Sequence, residues 1–291
     1  MNMVRIGLIG NVSSLLPYMQ ALRKESGFEV IGKSSVGLID QPAGSLLSVP
    51  EYTKSGLFEV SDALIIDKSS MVSFEALKDS VKNCKHLYLA DIPEITDRQC
   101  QELNKLVQEA GNIVQVRNPL MEDPAARWIA ENWHEPAYVN YSEGYSHPGD
   151  RRNLLIKILL YAHTLFSDSP QKIRVSGVSS PDGTGSFLNI RLDYATFSAI
   201  NFEILHQPGN EIRIKAALPG QFIETTGSHQ VMINHRKVIM EPLVETSFTQ
   251  FIHNVKIMQH KSGTGLQTLS HVLSTYSELL RKITLYSSWT L

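Results

Sequence analysis

The sequence predicts an α/β fold in two parts: an N-terminal Rossmann-type, doubly wound parallel sheet, then an α+β domain with a mostly antiparallel sheet. Two observations carry this. Up to about Glu122, short apolar runs alternate with stretches of helical periodicity, and that alternation builds a parallel sheet with right-handed crossovers. From Lys172 to Met240, one strand-length segment follows another with turn signals between them. The 291 residues suffice for two ordinary domains with their own cores. The boundary is expected near residue 122, giving 1–122 and 123–291, with the last helix free to pack back on the first domain.

In order along the chain, Val4–Ile9 reads as a buried parallel strand. Ser13–Glu25 follows as a helix, with Leu15, Leu16, Met19 and Leu22 at helical spacing. Phe28–Gly32 and Ala63–Ile66 are the next strands. Ser69 is placed to cap a helix running to Asn83. His86–Ala90 is a strand, Thr96 opens a helix to Ala110, Gly111 stands where a C-cap glycine belongs, and Ile113–Val116 closes the set. Beyond it come a helix over Pro124–Glu131, an extended Tyr138–Tyr145 and an apolar helix over Asn153–Phe166. Within Phe187–Tyr194, Leu188, Ile190 and Leu192 alternate with Asn189, Arg191 and Asp193, which gives one buried and one polar face. Pro181–Gly183 and Gln207–Asn210 are the clearest turns. Helices over Ser247–Gln259 and from Gly265 to Ile283 end the chain.

Composition narrows the function classes. A formal net charge of -2 gives no field to attract nucleic acid. No apolar run approaches the roughly 18 residues of a membrane span. The opening run is broken by Gly7, Gly10 and Asn11 and reads as a strand, not a signal peptide. Cys84 and Cys100 form no CxxC and no metal spacing, so they read as reduced thiols of a cytoplasmic protein. The ten histidines show no HxxH or HxxxH pair, and no metal is expected.

A doubly wound sheet binds its ligand at the carboxyl ends of the strands. The first such end here is Gly10-Asn11-Val12-Ser13-Ser14-Leu15. In a G-x-G-x-x-G turn the first glycine makes the bend, the second lets backbone approach a pyrophosphate, and the third lets helix pack on strand. Only Gly10 is present, and Val12 and Leu15 hold the other two places. Two readings stand: an anion site made by the helix N-terminus with Asn11, Val12 and Ser13, or a plain strand-to-helix turn. The second strand ends without the acid that would hold an NAD ribose. Lys33 and Ser34 there suit a 2′-phosphate, so NADP is expected over NAD if either binds.

Several segments together resemble the Gfo/Idh/MocA oxidoreductases. VRIGLIGNVSSLLPYMQAL looks like the family's opening strand, turn and helix. DALIIDKSS is similar to its DAVxIATPN segment, and KHLYLADIPEIT to KHVxxEKPxAxT. QVRNPLMEDPAARWI is similar to QVGxxxRFxPA, and GLQTLSHVLSTYSELLRK looks like its last helix. The resemblance runs the length of the chain. It implies a nicotinamide-dependent oxidoreductase acting on a sugar-like or polyol substrate, with the ligand in a cleft between the domains and a homodimer formed through the second domain's sheet. Phe202 and Ile204 are expected near the buried side of that sheet.

The departures from the family are as informative. Its EKP lysine is matched by Asp91-Ile92-Pro93, and isoleucine cannot move a proton. Its DxxxH helical pair is matched by Asn153 and Lys157, four apart on one helical face. Lys157 lies among apolar residues and reads as a relocated catalytic lysine, a ligand-anchoring cation or a snorkelling structural lysine. Asp67, in place of the family's alanine, and Asn118, where the family lines the nicotinamide, complete the candidates: Lys157, Asn153 and Asp91 for chemistry, and Gly10, Asn11, Val12, Ser13, Ser34, Asp67 and Asn118 for cofactor. The joint departure from the family at Val12, Leu15, Ile92 and Asn153 supports the alternative, a non-catalytic binding or regulatory protein that keeps the fold.

Overall fold

The computed structural model describes residues 3–36, 48–145, 151–179, 186–206, 212–225, 230–240, 246–259 and 263–287. The expected turns at Pro181–Gly183 and Gln207–Asn210 lie outside the described residues. The chain divides into two compact units. One is Met1–Arg117 with Glu245–Ser270, and the other is Asn118–Val244 with His271–Leu291. The sequence pattern suggested a boundary near residue 122, with the last helix free to pack back on the first domain.

The first unit is built on β1 (Val4–Asn11), β2 (Phe28–Val36), β3 (Ala63–Ile66), β4 (His86–Leu89) and β5 (Val114–Val116). Their order across the sheet is β5-β4-β3-β1-β2, all parallel. This is a doubly wound order whose switch point lies between β1 and β3. The residues of β3, β4 and β5 are all buried, as is the middle of β1, which is why these strands read as short, mostly apolar runs. The helices are α1 (Val12–Leu22), α2 (Lys54–Val60), α3 (Phe74–Lys82) and α4 (Asp97–Ala110). A Thr96/Gln99 capping box opens α4 and a left-handed Gly111 closes it. One face of α1 places Val12, Leu15, Met19 and Leu22 in a core with Ile6, Leu8, Phe28 and Tyr88.

The second unit holds α5 (Pro124–Glu131), β6 (Tyr138–Tyr145), α6 (Arg151–Leu165), β7 (Lys172–Ser179), β8 (Ser186–Asp193), β9 (Ala199–His206), β10 (Ile212–Leu218), β11 (Gln221–Thr225), β12 (Gln230–Ile233) and β13 (Arg236–Ile239). The sheet runs β13-β12-β11-β10-β6-β9-β8-β7, antiparallel except for β6 beside β9. Register puts Tyr141, Ile190, Phe202 and Ile214 on one face, all buried. Tyr161 of α6 meets Tyr141 there, with ring centroids 6.5 Å apart.

The chain then returns to the first unit with α7 (Ser247–Ile257) and β14 (Thr264–Gly265), which pairs antiparallel with β5. The last helix, α8 (Leu266–Tyr286), starts there and continues into the second unit.

Candidate functional site

At the switch point the chain runs from β1 into α1 with Asn11 as N-cap in an extended conformation and no side-chain cap. Asp67, the residue after β3, lies directly against this turn. Its carboxylate Oδ2 is 3.4 Å from the Asn11 amide, and a Cβ built on Gly10 would sit 2.3 Å from the Asp67 Cβ. Gly10 is therefore required by the close approach of Asp67. Val12 and Leu15 are core residues, 5% and 0% exposed, while Ser13 is exposed. A pyrophosphate does not fit this turn well. Val12 stands where the fingerprint has its second glycine, and the Asp67 carboxylate already faces the Asn11 amide.

The second strand is longer than the sequence suggested, and this corrects the reading of Lys33. The strand continues to Val36, so Lys33 and Ser34 lie within β2, opposite Leu8 and Ile9, and not in a loop after it. Lys33 is buried. Its Nζ donates to the Val49 carbonyl at 2.7 Å and pairs with Glu51 at 3.1 Å. Glu51 also accepts from the Ser35 amide at 2.6 Å and from the Ser35 hydroxyl at 2.9 Å. Partial burial pushes the Glu51 carboxyl up. The Ser35 amide, Lys33 and the Ser35 hydroxyl outweigh it and hold the group below the usual carboxylate range. Ser34 is half-buried at the end of the strand. Glu51, 16 residues on from Ser35, thus brings a carboxylate to the end of β2 and spends it on Ser35 and Lys33. No local motif marks it, because it arrives through a bridge from a separate segment.

At the end of β4, Asp91 accepts from the Ile92 amide at 2.8 Å. Burial raises its carboxyl above the ordinary value. The Ile92 amide and Lys68 oppose the rise, and the nearby Asp67 and Glu94 add to it. Ile92 is 4% exposed, and its carbonyl accepts from the buried Ser69 hydroxyl at 3.1 Å. An apolar side chain is thus fixed in the core where the resembled family carries its lysine.

In the second unit, Lys157 of α6 forms an ion pair with Glu143 of β6 through Oε1, and the Tyr141 hydroxyl donates to Glu143 Oε2 at 2.5 Å. Glu143 is 6% exposed and Tyr141 fully buried. Burial pushes the Tyr141 phenol well above its usual value, and the Glu143 carboxylate adds to this, so the phenol remains a donor. Asn153, one turn before Lys157, is exposed and takes a 3.4 Å contact from the Arg152 guanidinium. The structure does not bring Asn153 and Lys157 together. Glu143 and Tyr141 were missed from sequence. The signal was present: Val139, Tyr141, Glu143 and Tyr145 share one face of β6, and a glutamate among those apolar residues needs a partner. Asn118 belongs to the second unit and is 2% exposed. Its Nδ2 donates to Thr164 at 3.3 Å and its carbonyl closes the turn at Met121.

Among the described residues no group of three or more His, Cys, Asp or Glu is placed to hold a metal. No described helix is long and apolar enough to cross a membrane.

No protein-family model matches the chain, and neither does any curated protein. Solved structures do. A dehydrogenase from Chromobacterium violaceum superposes with a TM-score of 0.79 at 11% identity, over 96% of this chain and 94% of that one. UDP-N-acetylglucosamine 3-dehydrogenase from Acidithiobacillus ferrooxidans gives 0.78 at 13% identity over 98% and 99%. Biliverdin reductase from Synechocystis, solved with biliverdin and NADP+, gives 0.76 at 12% over 96% and 98%. The chain shares the two-part fold of these oxidoreductases. The match is end to end, so both parts of the fold expected from the resemblance are present. A sugar nucleotide and a linear tetrapyrrole among the neighbours' substrates show that this fold does not fix the ligand.

Proposed function

We propose that the protein is a non-catalytic binding or regulatory protein that keeps the Gfo/Idh/MocA fold and recognises a small polar molecule of sugar-like or polyol type. The observation that carries it is Ile92, buried and apolar where the resembled family has the lysine that assists hydride transfer. General acid–base groups contribute about a hundred- to ten-thousand-fold in rate, and isoleucine can supply none of it. Lys157, the one candidate replacement, is spent on Glu143. The sugar-like or polyol class is proposed by analogy with one neighbour, which acts on a sugar nucleotide. The two free thiols, Cys84 and Cys100, fit a reducing compartment and support a cytoplasmic protein.

The test is a panel of sugars, inositols and nucleotide sugars, read by thermal shift and by nicotinamide absorbance. A ligand that stabilises the fold without any NAD(P)H-linked turnover is the expected result. The end-to-end match favours a second reading, an NAD(P)-dependent oxidoreductase acting on a sugar-like or polyol substrate. Measurable turnover by the wild-type protein selects it. Ile92→Lys adds the missing ammonium. It is expected to stay inactive under the first reading, and to gain NAD(P)H-linked activity if the rest of the site is competent.

A further inference from the structure

We propose that the first unit is closed to pyrophosphate dinucleotides by its own carboxylates, Asp67 at the diphosphate position and Glu51 at the ribose position. This deepens the non-redox reading above. In a sheet of this strand order the ligand crevice opens between the carboxyl ends of β1 and β3. A diphosphate there uses the free N–H groups at the start of α1. Asp67 lies across that crevice. It approaches so closely that only glycine fits at position 10, and its Oδ2 faces the Asn11 amide. A carboxylate at a helix N-terminus makes the favourable contact an external phosphate would otherwise make. A second anion brought there meets like charge. Val12, whose side chain is held in the core with Leu8 and Leu15, keeps this turn from rearranging to admit one.

The other anchor is filled in the same manner. Lys33, the cation that a 2′-phosphate would seek, is buried and bound to Val49 and Glu51. The Ser35 amide and hydroxyl, which face the same place, are also taken by Glu51. Glu51 already accepts from three donors, the Ser35 amide, the Ser35 hydroxyl and the Lys33 ammonium, at 2.6, 2.9 and 3.1 Å, which leaves less capacity for a ribose diol. Both anchor points of a dinucleotide are therefore satisfied within the chain.

The experiment is a titration of the wild-type protein with NADH and NADPH by nicotinamide fluorescence, and with NAD+, NADP+ and inorganic pyrophosphate by thermal shift. No saturable response up to millimolar concentration is expected, and micromolar affinity for any dinucleotide overturns the proposal. The double variant Val12→Gly, Asp67→Ala is expected to gain at least about tenfold in pyrophosphate affinity. A folded double variant that responds like the wild type also overturns it. Asp67→Asn keeps the size and removes the charge, and serves the same comparison if the double variant does not fold. Dinucleotide binding without turnover sinks this inference alone. Turnover of a polyol with an artificial electron acceptor and no nicotinamide sinks the non-redox reading alone.

Discussion

Lys157 shows how a single residue changes meaning once its partner is known. Alone among Leu155, Ile156, Ile158 and Leu159 it is an ammonium in an apolar helix. With Glu143 and Tyr141 it becomes one corner of a buried triad in which each group satisfies another. Buried ion pairs are costly to break from one side, because the remaining charge keeps its desolvation penalty without its attraction. Lys157→Met is expected to cost about 3–5 kcal/mol in urea unfolding by leaving the Glu143 carboxylate uncompensated. Adding Glu143→Gln should recover part of that loss, since a neutral amide still accepts from the Tyr141 hydroxyl. If Lys157→Met proves as stable as wild type, the triad does not hold the unit together, and the pair is free for another role.

Elements were legible in proportion to how local their signals are. The parallel strands announce themselves as short Val/Ile/Leu runs, and α4 through its cap at each end. Helix α2 gave no signal, because seven residues with Leu57 as the only buried one carry no periodicity. The return of α7 to the first unit was also hidden. It is recorded in a buried amide relay, Asn254 to Gln115 at 3.1 Å and Gln115 to the Ser247 carbonyl at 2.6 Å, which joins residues more than a hundred positions apart. Glu51 escaped for the same reason, while Glu143 could have been found by writing β6 as two faces. Strand β4 carries a pH-sensitive link to β5. His86 Nδ1 accepts from the Ile113 amide at 3.0 Å, which requires a neutral ring. Burial lowers the His86 pKa, with Asp62 partly opposing it. A depressed folded-state value means this stability is present above the ordinary histidine range, about 6.5, and is lost as pH falls through the folded value. His163, lowered by burial and by His271, acts in the same direction. The melting temperature is therefore expected to fall between pH 7.5 and 5.5. His86→Asn, whose Oδ1 can take the Ile113 amide at any pH, should flatten part of that slope. An unchanged slope would assign the effect to His163.

For the whole molecule, the large sheet of the second unit leaves one face to be accounted for. Phe202 and Ile204, expected near the buried side, are fully buried on the face that carries Tyr141. The opposite face collects Tyr138, Val178, Phe187 and Phe222, which the strand registers align on one side. They are 41%, 65%, 37% and 43% exposed. Around them run charged pairs, Arg191 with Asp193 and Lys215 with Glu224. Between Tyr138 and Phe222 on one side and Val178 and Phe187 on the other lie Asn140, Asn201 and Glu203 on the same face, hydrogen-bonded to one another, so apolar and polar groups alternate across a surface whose two-fold pairing with its copy is self-complementary. We expect a homodimer through this face. A stable pair buries about 1,200–2,000 Å² in total, an area that an eight-stranded sheet can provide. Phe187→Asp with Phe222→Asp places unpaired carboxylates in the proposed contact without touching the buried face. Light scattering at micromolar concentration should show the wild type at twice the chain mass and the double variant at the chain mass, with the circular dichroism spectrum unchanged. A wild-type monomer at that concentration would remove the dimer. A double variant that stays dimeric would move the interface to another surface, because unpaired carboxylates buried in this contact would not be tolerated.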